Sequence, residues 1–466
     1  MNEATSLDRI RSGLQLELRP LLQLATPVVL AEVGWMTMGL IDTIMVGRVS
    51  AEAIGAVGIG GTLFFTIALF GIGLLLGLDY MVAHAHGAGE DAETRRWLVQ
   101  GVYLGALTAV PGIALVWFGL PWLAAVGVRP AVLTQAVGYG RALSWSLLPL
   151  LVLTAVRRYL QAIGRVQPVM VAVLSANLLN AAINWVLIFG HLGFRAMGAE
   201  GAGWATCWSR VYMTAYLIAC VVRHDARHHP RRQALALWPD PARLRRLVAL
   251  GLPAAVQTAL ECGVFAAVTT LAGRLDPSAL AAHQITLNVA SLTFMVPLGI
   301  SAAGAVRVGH ALGRRDARAA ARAGWTSLLL GAGFMCGAGV AFITVPGTIL
   351  SIFTPNHLVI ATGIALLRVA ALFQLFDGLQ VVATGVLRGT GDTRTPMLSN
   401  LVGHWLLGLP VGYLLCFRSE WGVVGLWVGL CIGLIAVAVV LGGVWSLRVQ
   451  TLAGELRPDG RLLNSA

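Results

Sequence analysis

Residues 71–87 read GIGLLLGLDYMVAHAHG, and residues 297–313 read PLGISAAGAVRVGHALG. Laid over one another at an offset of 226, they put Gly73 on Gly299, His84 on His310 and Gly87 on Gly313. The same ungapped register runs upstream to Gly47 on Gly273, Arg48 on Arg274 and Pro27 on Pro253. A register of Gly, Pro, His and Arg held over about sixty residues marks an internal duplication. Further on, LQAIG at 160–164 meets LRGTG at 387–391 at an offset of 227, so one inserted residue separates the halves.

What is duplicated follows from composition. Of 466 residues, 57% are hydrophobic and 12% charged, with a mean hydropathy of +0.77. A water-facing globular chain is about 25% charged, so this chain is an all-α polytopic membrane protein. Apolar runs predict twelve spans, at 22–46, 54–83, 99–121, 134–156, 168–190 and 201–222, then 248–272, 279–306, 323–346, 357–385, 397–417 and 424–447. Each is near the ~20 residues that cross a bilayer core. Six spans per half is an even number, so both halves enter the membrane in the same sense, related by an axis along its normal. The expected organisation is a tail at 1–21, a six-helix lobe at 22–222, a linker at 223–247, a second lobe at 248–447 and a tail at 448–466. No large soluble domain fits.

The net charge of +12 comes from 33 Arg with no Lys. Twenty-five of these Arg fall in the two tails and the even-numbered loops, and six in or beside the odd-numbered loops. That bias predicts both termini in the cytoplasm, in a bacterial inner membrane, and explains the basic excess without nucleic acid. The N-terminal MNEATSLDRIRSGLQLELRP has no short apolar core with a cleavage site, so no cleaved signal peptide is expected. Cys207, Cys220, Cys262, Cys336, Cys416 and Cys431 lie in or beside apolar segments without metal-ligand spacing and read as small buried apolar residues. Fifty-five glycines permit close helix approach, which drives association where apolar burial cannot.

An acid at mid-membrane costs about 2.5–3.5 kcal/mol, so each one needs a reason. Glu261 lies well inside span 7 and Asp377 well inside span 10. Facing a common cavity, they would form a site for a proton or for Na⁺; paired with Arg368, they would be structural. Their counterparts in the first half are Trp35 and Leu150, so the shared scaffold does not require them. Asp42, near the end of span 1, has Val268 as its counterpart. In NLLNAAIN, Asn180 and Asn184 share a helix face, and with Asp42 and Thr206 they offer an oxygen-rich second site or an interhelical glue. Glu32 lines the same region or pairs with a donor. Gln284 is a candidate for touching a ligand, and Phe265 and Phe294 present aromatic faces to a cation. Asp79 sits where a loop salt bridge is easy, and His84 and His86 are too far apart round a helix to share a metal.

There is no P-loop, GxSxG, HExxH or paired Cys/His set, so neither an enzyme nor an ATP-driven pump is expected, and no cofactor. The two halves, with GLIDTIMVGR, GLPAAVQTALE, AAHQI, RVGHALG and LRGTGDTRTPM, resemble the MATE family of multidrug and toxin extrusion transporters, in particular its NorM-like branch. The resemblance spans about residues 20–447. It implies H⁺- or Na⁺-coupled export of diverse, often cationic and aromatic drugs, by a monomer with a V-shaped pair of lobes in the lipid bilayer. Motif by motif, Asp42 matches the family's span-1 acid, Glu261 and Asp377 its coupling carboxylates, and Asn180 and Thr206 its N-lobe polar site. Asn184 stands where some relatives carry Asp, and Phe294 and Phe373 where some carry Tyr. A lipid-linked precursor flippase is the alternative, disfavoured because the deep charges are mostly acidic. A channel is disfavoured by the duplicated scaffold.

Overall fold

The computed structural model describes residues 3–122, 129–228 and 238–454, and every regular element among them is helical. The expected linker and C-terminal tail lie partly outside the described residues, at 229–237 and 455–466. The first half contains α1 (Glu3–Val46), α2 (Ala51–Leu74), α3 (Gly77–Gly87), α4 (Asp91–Trp122), α5 (Pro130–Ser144), α6 (Leu147–Ala162), α7 (Gln167–Phe189) and α8 (Ala199–His228). The second contains α9 (Pro241–Ala272), α10 (Pro277–Gly313), α11 (Ala317–Thr344), α12 (Pro346–Ser351), α13 (His357–Arg388), α14 (Arg394–Asn400), α15 (Leu409–Phe417) and α16 (Gly422–Gly454).

Among the described residues, eleven stretches are long and apolar enough to span a membrane, and the bent pair α5–α6 makes a twelfth if it is counted as one span. That pair, predicted as one run at 134–156, turns by 43°. The bend has a local cause. The hydroxyls of Ser144 and Ser146 donate back to the carbonyls of Arg141 (2.7 Å) and Leu143 (2.5 Å), and Pro149 can supply no N–H to the ladder. A second irregularity joins α14 to α15, where Leu401–Gly408 widens into a π-helix and the Leu409 N–H bonds the His404 carbonyl. Pro410 follows directly and cannot donate, so the ladder resets there.

Two compact units emerge from the packing. One comprises Met1–Val29, Ala83–Gly89 and Val256–Ala466; the other comprises Leu30–Val82 and Glu90–Ala255. Helices α1 and α9 each contribute one end to either unit. In the second unit, a Cβ on Gly73 would lie 2.5 Å from the Ala255 Cα; in the first, a Cβ on Gly299 would lie 3.1 Å from the Val29 Cα. These contacts are related by the same offset of 226 at both partners. Within the first unit, Gly87 abuts the His310 carbonyl and Gly313 the His84 carbonyl, again an exchanged pair at that offset. The duplication read from sequence is therefore a duplication of contacts.

Polar clasps close each unit. In the first, Arg307 Nη2 donates to Glu17 Oε2 at 2.6 Å. On α16, Gly425, Gly429 and Gly433 recur every four residues, and a Cβ on any of them would enter the backbone of Leu415–Cys416, Gly412 or Gly403. This is small-residue packing of membrane helices. In the second unit, the Gln100 amide donates to the Trp238 carbonyl (3.1 Å) and accepts from the Asp240 N–H (2.9 Å). The Arg243 and Ala242 N–H groups donate to Asp240, which holds its carboxyl below the usual range, while Arg243 also pairs with Glu93. Among the cysteines, Cys207, Cys416 and Cys431 are buried as expected, but Cys262 and Cys336 are exposed. Both lie on membrane-spanning helices, whose outer faces meet hydrocarbon, so a weakly polar thiol is tolerated there.

Candidate functional site

Asp42 of α1 is buried in the second unit, with Asn180 and Asn184 of α7 and Thr206 of α8 around it. Asn184 Nδ2 donates to Asp42 Oδ1 at 2.6 Å and to Asn180 Oδ1 at 3.1 Å; Thr206 Oγ1 donates to Asp42 Oδ2 at 2.7 Å. The i,i+4 spacing of the two amides thus converges on one carboxylate, as their shared face predicted. Asn180 also lies within hydrogen-bonding reach of Asp42, and Asn184 Oδ1 has no partner among the described residues, so the cluster retains a free acceptor. Asn177, on the same helix, donates instead to the Gly34 carbonyl at 3.0 Å and ties α7 to α1.

Glu32 has a different neighbour. It forms an ion pair with Arg157 of α6, and Asp79 pairs with Arg158 at 3.5 Å, so the two deep arginines of α6 are both neutralised by acids. Breaking a buried pair on one side leaves an uncompensated charge costing about 3–5 kcal/mol. Arg157→Met is expected to destabilise the protein by that order, and Glu32→Gln in the same chain to restore most of the loss. Thermal denaturation of the two single variants and the double variant checks this; additive losses would dissolve the pair.

In the first unit, Glu261 of α9 and Asp377 of α13 are near enough to act on each other electrostatically, and the amides of Gln257 and Gln380 are polar neighbours of Glu261. Asp377 is buried and Glu261 half-buried. Neither acid forms an ion pair among the described residues, and Arg368, the expected structural partner, is exposed. Two acids with amide neighbours and no guanidinium form a site that gains energy from a cation.

Beside them lies an aromatic layer. Phe265 packs edge-on against Phe373 (centroids 6.2 Å apart), Phe373 against Trp427 (5.7 Å) and Trp427 against His283 (5.9 Å). Trp427 Nε1 donates to His283 Nδ1 at 3.1 Å, while His283 Nε2 lies 2.9 Å from Thr269 Oγ1. An indole can only donate, so Nδ1 must accept and the proton of a neutral ring sits on Nε2. Phe294 packs in the apolar cluster around Ile300 and Val386, and Gln284 is exposed with no partner in this group. Of the four proposed ligand-facing residues, the structure brings only Phe265 into this layer. Sequence reading missed Gln257 and Gln380. Their signal was available, because their counterparts are Ala31 and Leu153 and a polar residue replaces an apolar one in each case.

A family model, MatE, matches residues 27–186 and 253–414, two segments that start one repeat offset apart. The chain belongs to the MatE family. Family relatives extend over nearly its full length. It is 38% identical over 448 residues to the probable multidrug resistance protein NorM of Mesorhizobium japonicum, covering 94% of this chain and 96% of that one. It is 36% identical to the multidrug resistance protein PmpM of Pseudomonas aeruginosa, with 91% and 90% covered, and 36% identical to NorM of Vibrio cholerae, with 91% and 93% covered. Among solved structures, the eukaryotic MATE transporter AtDTX14 superposes with a TM-score of 0.83 at 21% identity, covering 94% of this chain and 99% of that one. An outward-facing multidrug resistance MATE transporter superposes at 0.84 and 18% identity, covering 94% and 98%. The MatE fold is therefore shared well beyond the reach of sequence identity.

Proposed function

We propose that this MatE protein is a secondary active multidrug efflux transporter that exchanges H⁺ or Na⁺ for organic, often cationic and aromatic, compounds by alternating access. The relatives named as multidrug resistance proteins support the substrate class. The observation that carries the coupling is the Glu261–Asp377 pair, held on membrane-spanning helices with amide neighbours and no arginine partner among the described residues. Such a pair binds a proton or a sodium ion when one arrives and a cationic drug when it leaves. One charge moved across 100 mV supplies about 2.3 kcal/mol.

Asp42, Asn180, Asn184 and Thr206 form a second polar site in this reading, and residues 22–222 and 248–447 are the two lobes that alternate. The protein acts as a monomer in the bacterial inner membrane with both termini in the cytoplasm, as the arginine bias supports. The neutralisation of Arg157 and Arg158 by Glu32 and Asp79 weighs against an anionic lipid-linked substrate.

Ethidium uptake into everted membrane vesicles, with a proton gradient or a Na⁺ gradient imposed separately, tests this function. Uptake is expected to follow one of the two gradients and to name the ion. No response to either, with ethidium or a small panel of other organic cations, overturns the antiport reading and makes lipid-linked substrates the next test. Asp42→Asn is expected to lower the rate, and an unchanged rate would return Asp42 to a structural role.

A further inference from the structure

Asp377 does not stand alone on α13. Gln374, Asp377, Gln380 and Thr384 follow at spacings of three, three and four residues, which places all four on one face of the helix. All are buried: Gln374 and Gln380 are 0% exposed, Thr384 5% and Asp377 7%. Gln374 Nε2 reaches the Thr293 hydroxyl of α10. Gln374 Oε1, Gln380 Oε1 and Thr384 Oγ1 have no hydrogen-bond partner among the described residues, while the Gln380 amide N–H group faces Glu261. A buried polar group without a partner loses its hydration for nothing, so this face is held in an unfavourable state.

The other half provides the control. At the offset of 227, Gln374, Asp377 and Gln380 correspond to Leu147, Leu150 and Leu153 of α6, which are 1%, 5% and 2% exposed. The same position in the duplicated scaffold is thus filled by three leucines at the same burial. At these three positions packing alone asks for nothing polar, and the second half carries a polar residue at each; Thr384 corresponds to Arg157, which is itself polar. From Asp377 to Thr384 the stripe runs about 10 Å along the helix, and Arg388 lies one further turn, about 6 Å, beyond it. Arg388 is itself buried, at 8% exposed, and ends the helix.

We propose that this face of α13 is a water-binding path, shut in this conformation and hydrated in another, along which the ion held by Glu261 and Asp377 passes to or from the Arg388 end. Its ligand is water, carrying a proton or a hydrated monovalent cation. Groups three or four residues apart on a helix are separated by about one bridging water. The bound waters would give Gln380 Oε1 and Thr384 Oγ1 the partners they lack here. This inference rests on the coupling role proposed for Glu261 and Asp377, but its first test does not.

Hydroxyl-radical footprinting of the wild-type protein in lipid nanodiscs labels residues that contact water. The segment 374–384 is expected to be labelled at least about ten-fold faster than the comparably buried segment 150–156 of α6, a ratio equivalent to about 1.4 kcal/mol. Equal, slow labelling of the two segments overturns the path whatever the protein transports. The second test is transport by Thr384→Val, which removes only a hydroxyl at a position outside the Glu261–Asp377 site. Its ethidium Kd is expected to stay within about two-fold of wild type, and gradient-driven uptake to fall at least about ten-fold. Thr384→Ser, which keeps the hydroxyl, is expected to transport like wild type. Wild-type uptake by Thr384→Val overturns the path while leaving the antiport reading intact. Should the wild type itself show no gradient-driven uptake, the antiport reading fails and the footprinting ratio alone decides the path.

Discussion

Glu261→Gln and Asp377→Asn are each expected to abolish gradient-driven ethidium uptake while leaving a folded protein of wild-type yield. Both substitutions keep shape and remove one negative charge, so the steric setting against Phe265 and Phe373 stays. In the proposed exchange, the ion and the drug are attracted to the same two carboxylates, and a lone acid in this setting holds one ion or none. Loss of one charge therefore uncouples the gradient from the drug. A fall of at least about a hundred-fold, near 2.8 kcal/mol, is the expected size. Drug binding without a gradient is expected to weaken less, since the aromatic layer remains. Wild-type uptake by both variants at equal expression would refute the assignment of this pair. An effect of Asp377→Asn alone would place the ion on α13 and make Glu261 an accessory.

Gly251→Ala is expected to cost about 3 kcal/mol or more, among the largest losses a single methyl group can produce. A Cβ at this position on α9 would enter the Leu74 carbonyl at the end of α2, and backbone on a packed helix cannot step aside as a side chain can. Its counterpart in the repeat is Ala25, 2% exposed, which packs in one apolar cluster with Ile300, the counterpart of Leu74. That crossing is wide enough for the methyl group already. Ala25→Gly should therefore lose only about 1 kcal/mol, the difference in helix propensity. The melting temperatures of the two purified variants in detergent test the contrast. Equal losses would mean that the two crossings are equally tight.

The membrane class, the helical content and the twofold repeat were all legible in the sequence. Apolar runs of fixed length have no other stable use in a bilayer, where each backbone group must be bonded within its own helix. The carboxylates were legible for the same reason, because a charge in hydrocarbon stands out against every neighbour. The amide spacing on α7 predicted the approach of Asn180 and Asn184, since i and i+4 share a helix face whatever the fold. Partners were another matter. That Glu32 pairs with Arg157, while Glu261 has Gln380 and Gln257 beside it and no arginine, depends on which helices touch. Spacing along one helix carries no information about the next.

The bend between α5 and α6 and the widened turn before Pro410 also escaped the run lengths, because hydropathy is blind to where a carbonyl loses its donor. The stripe on α13 lies between these cases. Its residues, and the leucine counterparts of three of them, were present in the aligned halves, but only the packed structure shows that the stripe is buried with part of its hydrogen-bonding capacity unmet. Sequence alone determined the medium, the repeat and the residues too polar for that medium. Tertiary structure decided which of those residues are neutralised and which remain free to bind, because charge compensation is a matter of distance between helices.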